Sequence, residues 1–591
     1  DKTRTVTPGD GQGEASFSEC ALFAVNMRIF SEDEYEEFMR LWKGVGMDET
    51  KVKEGSRLDK LIKKMPLVYQ IRHGEKKGIL VRVNLERFEA TRDIDIIIPD
   101  SVRKFIGGEW KDYPLEICNY LKRKDKYVSM NAQFIQALHY DNPNELNKIV
   151  DEWFDVLNAS LTDIAKAQMF HGIIRSTDTE DAGVASTLVQ ALRTSSDLIN
   201  ESQVCNWRKD QYRKFINNMK IGRILVPGMY SYEICDPYSL LNKWFGLDIP
   251  CLAEGEFYHN GLTCECGLFR SPLIAPFEAT KVQLVEHDTY RYMRDVIVFN
   301  TEDGVWDRLG GSDFDGDQCA IVPDNTPSGN IIVSGIRTID HDVWEPAQKA
   351  KKVEFTIPNL IEHLVKTAMR DRTGLITNYA TNAQDIANHL RASVHFAKLL
   401  GCEAVTMLHP SAFSGCADDV LGNHYVPRTA TQNGKKVFQI RGLVLSKWNN
   451  QLKKVEFDEN GIYGTFTFDQ IEEIAKKYEV IVEYLRVLQG REIDGAKTGV
   501  YAEGINGEDF VDMVKVVFTP HNMMARKEIL GKPVANSSVL NEYVSLSPLG
   551  RIHDYVCKRE HEVFDFLENG SNKIFLLQSL MTEQEAHDMT K

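Results

Sequence analysis

Two apolar runs, Asp295-Val296-Ile297-Val298-Phe299-Asn300 and Ala320-Ile321-Val322, flank Gly310-Gly311-Ser312-Asp313-Phe314-Asp315-Gly316-Asp317-Gln318. Both runs read as buried strands. An Asp-Gly turn on a protein surface is ordinarily just solvated, but exposed acidic turns are seldom set so closely between two buried strands. In an extended segment residues at i, i+2 and i+4 share a face, so Asp313, Asp315 and Asp317 project together. Gly316 permits the bend that swings the third carboxylate toward the first two. Three hard oxygen donors then converge, and Mg²⁺ prefers such carboxylates completed by waters and substrate phosphates. The loop is therefore expected to hold an ion that also touches a nucleotide. A helix-loop-helix calcium site is excluded: with Asp313 as position 1 the glycine falls at position 4 instead of 6, and position 12 is Asp324 instead of glutamate.

Other chemistries find no support. Gly11-Gln12-Gly13 is not followed by the Gly-Lys-Ser/Thr of a phosphate-cradling loop, and no such run occurs elsewhere. Cys264-Glu265-Cys266, with Cys235 and Cys251 upstream, lacks zinc spacing and reads as buried structural thiols. The 15 histidines form no His-Glu-x-x-His cluster, which argues against a zinc hydrolase. The 11 cysteines, an odd number without a regular framework, suggest a reducing compartment. No apolar run reaches the roughly 18 residues needed to span a bilayer. The opening Asp1-Lys2-Thr3 shows no signal-peptide pattern and no initiating methionine, which leaves room for residues upstream. A cytoplasmic protein with no membrane partner is expected.

A net charge of −16 argues against nucleic-acid binding by the surface as a whole, but the local field in a cleft is what matters for a large enzyme. Basic residues cluster in Lys51 to Lys64, in Lys122-Arg123-Lys124 and between Arg208 and Arg223. At 591 residues, 43% hydrophobic and 26% charged, the chain has the balance of a globular protein of several domains. Strand-like runs at Pro66 to Arg72, Gly78 to Asn84 and Asp93 to Pro99 fall in a first β region. From about 143 the spacing of Leu146, Ile149, Val150, Trp153 and Leu157 is helical, followed by Val184 to Ile199 and Val204 to Met219. Strand-like runs return at Arg223 to Pro227, Leu268 to Pro272, Val296 to Asn300 and Cys319 to Pro323. Helices dominate again beyond about 350, including Asn359 to Met369, Ala383 to Leu400 and Phe468 to Leu488. No internal repeat is visible.

The Asp-x-Asp-Gly-Asp loop resembles that of the two-barrel RNA polymerases, which carry it in the second of two double-psi β-barrels. Asp10-Gly11-Gln12-Gly13-Glu14-Ala15-Ser16 resembles an opening motif of the cellular RNA-dependent members. Gln70-Ile71-Arg72-His73-Gly74-Glu75-Lys76-Lys77-Gly78 is similar to their strand and turn. Tyr127 to Tyr140, with Asn131, Phe134 and Ala137-Leu138, looks like the segment that follows in those enzymes. Phe269-Arg270-Ser271-Pro272, with Pro276 nearby, resembles an Arg-Ser-Pro element of the superfamily. Arg372-Thr373-Gly374-Leu375-Ile376 and Glu492-Ile493-Asp494-Gly495-Ala496-Lys497-Thr498-Gly499 look like its later landmarks. The motifs stand in the family's order and span roughly residues 10 to 505.

The resemblance implies an α+β fold with two double-psi β-barrels in one chain, joined and flanked by helical regions. The expected division is a first barrel at 1–110, a helical connector at 111–220, and a second barrel carrying the Asp loop at 221–345. A helical region at 346–510 would pack on the barrels, followed by a C-terminal helical region at 511–591. It implies an RNA polymerase that adds ribonucleoside triphosphates to an RNA 3′-hydroxyl on a nucleic-acid template, with Mg²⁺ held by Asp313, Asp315 and Asp317. Lys77 corresponds to a lysine facing the active site from the first barrel, and Arg270 to an arginine near the nucleotide's ribose. Arg72 and Gln70, alternating with Ile71, are candidates to face the same cleft and bind nucleotide. Asp-Phe-Asp-Gly-Asp-Gln reads like the multisubunit DNA-dependent enzymes and the preceding Gly310-Gly311-Ser312 resembles the cellular RNA-dependent ones, so the chain is expected to resemble the single-chain bacteriophage and prophage transcriptases that combine these features. That reading favours a DNA template, no obligate catalytic subunit and a host-cell cytoplasm. The alternatives are an RNA-dependent polymerase of the silencing type and an inactive nucleic-acid-binding relative. Against the last, carboxylates crowded without a metal repel one another.

Overall fold

The computed structural model describes residues 11–73, 76–99, 114–121, 126–177, 195, 198, 201–337, 354, 356–370, 373–408, 428–443, 446–449, 454–457, 461–498 and 545–569. Outside them lie Asp10, Gly74-Glu75, Lys122-Arg123-Lys124, Arg372, Gly499 and most of the helix expected over Val184 to Ile199. Among the described residues no helix is long and apolar enough to cross a membrane.

The N-terminal part forms a five-stranded sheet. Its strands are β1 (Gln12–Ala15), β2 (Val68–His73), β3 (Lys76–Arg82), β4 (Ile96–Ile97) and β5 (Leu115–Leu121), in the order β4-β1-β3-β2-β5. β1 and β3 run parallel, while β2 pairs antiparallel with both β3 and β5. One sheet face presents Val68, Ile79 and Val81, the other Tyr69, Ile71 and Leu80, as the period of two demands. Three helices that were not expected in this stretch, Phe17–Asn26, Glu32–Gly44 and Arg57–Lys64, bury Phe17, Phe38, Trp42, Leu61 and Ile62 together. Their signal is present in the sequence: Phe38 and Trp42 are four apart, and Ser31 with Glu34 forms a capping box.

Two short strands, β6 (Tyr127–Ser129) and β7 (Leu225–Pro227), pair antiparallel and lead into a closed barrel. Its six strands are β8 (Met229–Cys235), β9 (Glu256–His259), β10 (Glu265–Phe269), β11 (Thr280–Leu284), β12 (Val296–Phe299) and β13 (Gln318–Pro323). They close in the order β10-β11-β9-β12-β8-β13, with β11–β9 and β12–β8 parallel and the other pairs antiparallel. Phe257, Leu268, Ile297, Phe299 and Ile321 fill its core. The Val68, Ile79 and Val81 face of the N-terminal sheet packs on the barrel through Ile234, Tyr258, Val296 and Val298. Gln12 spans this junction: its amide nitrogen donates to the Cys235 carbonyl at 3.0 Å, and its oxygen accepts from the Cys235 amide at 2.8 Å.

Helices Asn147–Thr162, Ile164–Thr177 and Ser202–Lys220 share one core with the helix Pro548–Asn569. The described C-terminal helix thus packs on the block expected to be a connector. Within that core Trp153 donates to the Leu225 carbonyl at 2.7 Å. Two long helices, Thr373–Leu399 and Phe468–Thr498, cover the helical runs expected at Ala383 to Leu400 and Phe468 to Leu488, and they lie against each other. Between them in sequence stands a four-stranded sheet where only helix was expected: β14 (Ala404–Leu408), β15 (Arg428–Gln432), β16 (Lys435–Arg441) and Gly464–Phe466. β15 and β16 join through Asn433-Gly434, with φ of 50° and 77°. That is the Asn-Gly hairpin signal, overlooked because the flanking strands are polar on their outer face.

Candidate active site

The Asp loop connects the end of the short helix Val305–Arg308 to β13 and lies at one end of the barrel. A turn at residues 314–316 decides its geometry. Ser312 and Phe314 turn inward, each 1% exposed, and Phe314 packs against Phe299 and Trp306 with ring centroids at 6.1 and 5.8 Å. Burying such a ring contributes about 2–3 kcal/mol, which anchors the loop. The odd-numbered residues then face the other way, and one carboxylate oxygen from each of Asp313, Asp315 and Asp317 lies within 4.8 Å of the others. Gly316 has φ of +121°, a backbone state that a side chain would strain.

Two carboxylates of unit charge 4–5 Å apart repel by about 3–4 kcal/mol at an effective dielectric of about 20, so three do not gather unaided. Two cations offset that repulsion. Lys77, on β3, reaches across from the N-terminal sheet to Asp315 Oδ2 at 2.8 Å. Arg270, just after β10, donates to Asp317 Oδ2 at 2.7 Å and to the carbonyls of Gly310 at 2.8 Å and Leu309 at 3.2 Å. The loop's own amides add two bonds, Asp313 N–H to Asp317 Oδ2 at 3.0 Å and Asp315 N–H to Asp313 Oδ1 at 3.3 Å.

The first sheet touches the loop in a second place. Gly11, with φ of +90°, passes so close to Asp315 that a Cβ there would meet Asp315 Cβ at 2.8 Å. The opening glycine motif is therefore a close-approach site instead of a phosphate cradle. Arg72 stands opposite Lys77 and Gln70 opposite Ile79 in the β2–β3 ladder. Opposed residues share a face, so both side chains lie on the sheet face that carries Lys77. The bond recorded for the Arg72 guanidinium is to the Ile71 carbonyl of its own strand, at 3.4 Å. The structure thus joins Lys77 and Arg270 to the three aspartates and leaves Gln70 and Arg72 beside them.

Sequence reasoning missed Glu233. This β8 residue is fully buried, accepts a hydrogen bond from Ser312 Oγ, and donates its amide to the Asp317 carbonyl at 3.0 Å. Burial pushes its carboxyl up to about 7, against the Ser312 bond and the Arg270 charge, which lower it. A lone glutamate in the apolar run Tyr232-Glu233-Ile234-Cys235 was the available signal. Asn131 and Phe134 act indirectly: Asn131 caps the helix Ala132–Ala137, and Phe134 stacks on Phe269, beside Arg270, at 5.1 Å. The thiol expectation holds for Cys235 and Cys266, which are buried, while Cys251 and Cys264 are half-buried. Among the described residues the aspartate triad is the one group of three or more acidic, histidine or cysteine side chains placed to hold a metal.

Oxygens bound to one Mg²⁺ at about 2.1 Å lie at most about 4.2 Å apart, so the triad needs to close by only a fraction of an ångström. Its all-oxygen donor set suits that ion. A closed barrel presenting these carboxylates, met by a lysine from an adjoining sheet, is the arrangement of the two-barrel polymerases. The sequence matches the family described as RNA dependent RNA polymerase over residues 41–400. The chain belongs to that family. Among solved structures it is similar to the RNA dependent RNA polymerase QDE-1 from Thielavia terrestris, at 14% identity and a TM-score of 0.49, over 95% of this chain and 52% of that one. The chain thus spans about half the length of that structure. No curated protein sequence matches it.

The family match overturns the expectation of a DNA template and gives no support to a bacteriophage-type assignment. The physical reason lies in Phe314. The DNA expectation rested in part on Phe314 and Gln318 in the loop, yet Phe314 is buried in the barrel core, so its identity answers to packing there.

Proposed function

We propose that this chain synthesises RNA on an RNA template, joining a ribonucleoside triphosphate to an RNA 3′-hydroxyl with release of pyrophosphate. Family membership over residues 41–400 supports the template class. The single observation that carries the chemistry is the convergence of Asp313, Asp315 and Asp317 at the barrel end, with Lys77 delivered from a separate sheet.

On this reading the three aspartates hold Mg²⁺, which supplies charge neutralisation at the phosphates and a more acidic 3′-hydroxyl. Three carboxylates and two cations leave one net negative charge at the site, which favours a divalent ion. Lys77, with 40% of its side chain exposed, can turn from Asp315 toward an arriving triphosphate. Arg270, with 14% exposed, holds Asp317 and the Gly310 carbonyl, and the resemblance would set it near the nucleotide's ribose. Gln70 and Arg72 line the same approach. On this reading the N-terminal sheet brings Lys77, and the closed barrel brings the triad and Arg270.

The test is labelled ribonucleotide incorporation with Mg²⁺ on single-stranded RNA, beside Asp315→Asn. RNA-templated product that falls at least about a thousandfold in the variant, some 4 kcal/mol of transition-state stabilisation, is the expected result. Equal product from Asp315→Asn, or product on DNA alone, would sink the proposal.

A further inference from the structure

The aspartate loop has two feet, and a single residue of the neighbouring strand holds both. Ser312 begins the loop and Asp317 ends it. Glu233 on β8 accepts from Ser312 Oγ through its carboxylate and donates to the Asp317 carbonyl through its amide, at 3.0 Å. The side chain is fully buried, on the inner side of the barrel, beside Cys319 and in the field of Arg270. Its recorded contact to the loop side chains is through Ser312 Oγ, and it is not one of the three carboxylates that converge at the barrel end.

A buried carboxylate is a costly way to close a loop if closure is all that is needed. It does supply a strong, directional acceptor. Arg270 grips one of these feet, Asp317, through its carboxylate, and the Gly310 carbonyl two residues before the other. The loop is thus held between the buried Glu233 carboxyl beneath and the Arg270 guanidinium above. Such outer partners orient metal ligands, and their removal typically lowers metal affinity about 10- to 100-fold.

We infer that Glu233 is a positioning residue for the aspartate triad, acting through Ser312 to hold the carboxylates at metal-binding spacing. The inference rests on the triad being a metal site, but not on the reaction that the site performs.

The experiment measures Mn²⁺ binding from the loss of the free-ion electron paramagnetic resonance signal, on the full chain, alongside RNA synthesis and thermal unfolding. The variants are Glu233→Ala, Glu233→Gln and Ser312→Ala. Glu233→Ala and Ser312→Ala are expected to weaken Mn²⁺ binding at least about tenfold, with the larger share of lost synthesis recovered at high metal. Glu233→Gln keeps an acceptor for Ser312 and is expected to restore most of the affinity. Unchanged Mn²⁺ affinity in folded Glu233→Ala and Ser312→Ala would overturn the inference, as would a Glu233→Gln variant as impaired as Glu233→Ala. Should Glu233→Ala fail to fold, Ser312→Ala and Glu233→Gln decide the matter in the same way. A wild-type protein that binds Mn²⁺ yet makes no RNA would refute the polymerase reading alone.

Discussion

Replacing Gly11 by alanine should damage both stability and catalysis, because of where that Cβ would go. It would stand 2.8 Å from Asp315 Cβ and 3.1 Å from its Cα and amide nitrogen. Carbon atoms rest in contact at about 3.5–4.0 Å, so the loop and the strand must part by about 0.7–1.2 Å. Two costs add. An alanine at φ of +90° is strained by about 1–2 kcal/mol, and overpacking costs about 1–3 kcal/mol. The displacement falls on Asp315, which Lys77 meets at 2.8 Å. A shift of about 1 Å in a catalytic group costs on the order of a hundredfold in rate. Steady-state RNA synthesis per folded molecule is therefore expected to fall between about 10- and 100-fold. Gly255→Ala is the control, since Gly255 has φ of +80° but nothing within 4 Å of its would-be Cβ. It should lose about 1–2 kcal/mol and keep its turnover. Full turnover by Gly11→Ala at saturating metal and nucleotide would refute the close-approach argument.

Lys77→Met unpairs Asp315, whose side chain is 7% exposed and crowded by two other carboxylates, so stability should fall by more than the roughly 1 kcal/mol of an exposed pair, while synthesis falls at least about tenfold; unaltered steady-state kinetics would remove Lys77 from the site. Arg486→Met breaks a buried pair with Glu278, the two side chains being 5% and 3% exposed at 2.9 Å. Unpairing a buried carboxylate costs about 3–5 kcal/mol, and Glu278 keeps the amides of Ile274 and Ala275, so denaturant titration should show a loss near the lower figure and not one below about 1 kcal/mol. His389 is fully buried, and burial pushes its imidazole down to about 3 while Nδ1 accepts the Leu546 amide at 2.9 Å. The unfolded chain binds the proton first, so this contribution is intact above about pH 6.5 and is lost as pH falls toward 3. His389→Gln, which retains an acceptor, should flatten the decline of stability measured between pH 6.5 and 4; an identical slope would show that His389 does not report the acid transition.

The parts of the site that were legible in the sequence are those whose chemistry is local. Three aspartates at a spacing of two with a glycine between them are expected to converge without any distant contact, although the structure brings them together through a turn at residues 314–316 instead of extended backbone. Lys77 and Arg270 were reached through motifs, and the structure places both on the carboxylates. Glu233 was not legible, because its meaning depends on Ser312, which is 79 residues away. The template expectation failed for a related reason: Phe314 was read as part of the site's wording, and only the fold shows that it belongs to the core.

The chain's alternating and helical periods determine which segments are strands and helices, since backbone geometry converts spacing directly into a buried face. They determine that residues 310 to 318 gather hard oxygen donors between two buried strands. Periodicity carries no information about which strand lies beside which. The closure of six strands into the order β10-β11-β9-β12-β8-β13, the seating of the N-terminal sheet on that barrel, and the passage of Gly11 against Asp315 follow from side-chain packing between distant segments. That packing decides which cation meets which aspartate, and it turns a buried glutamate into the clamp beneath the loop.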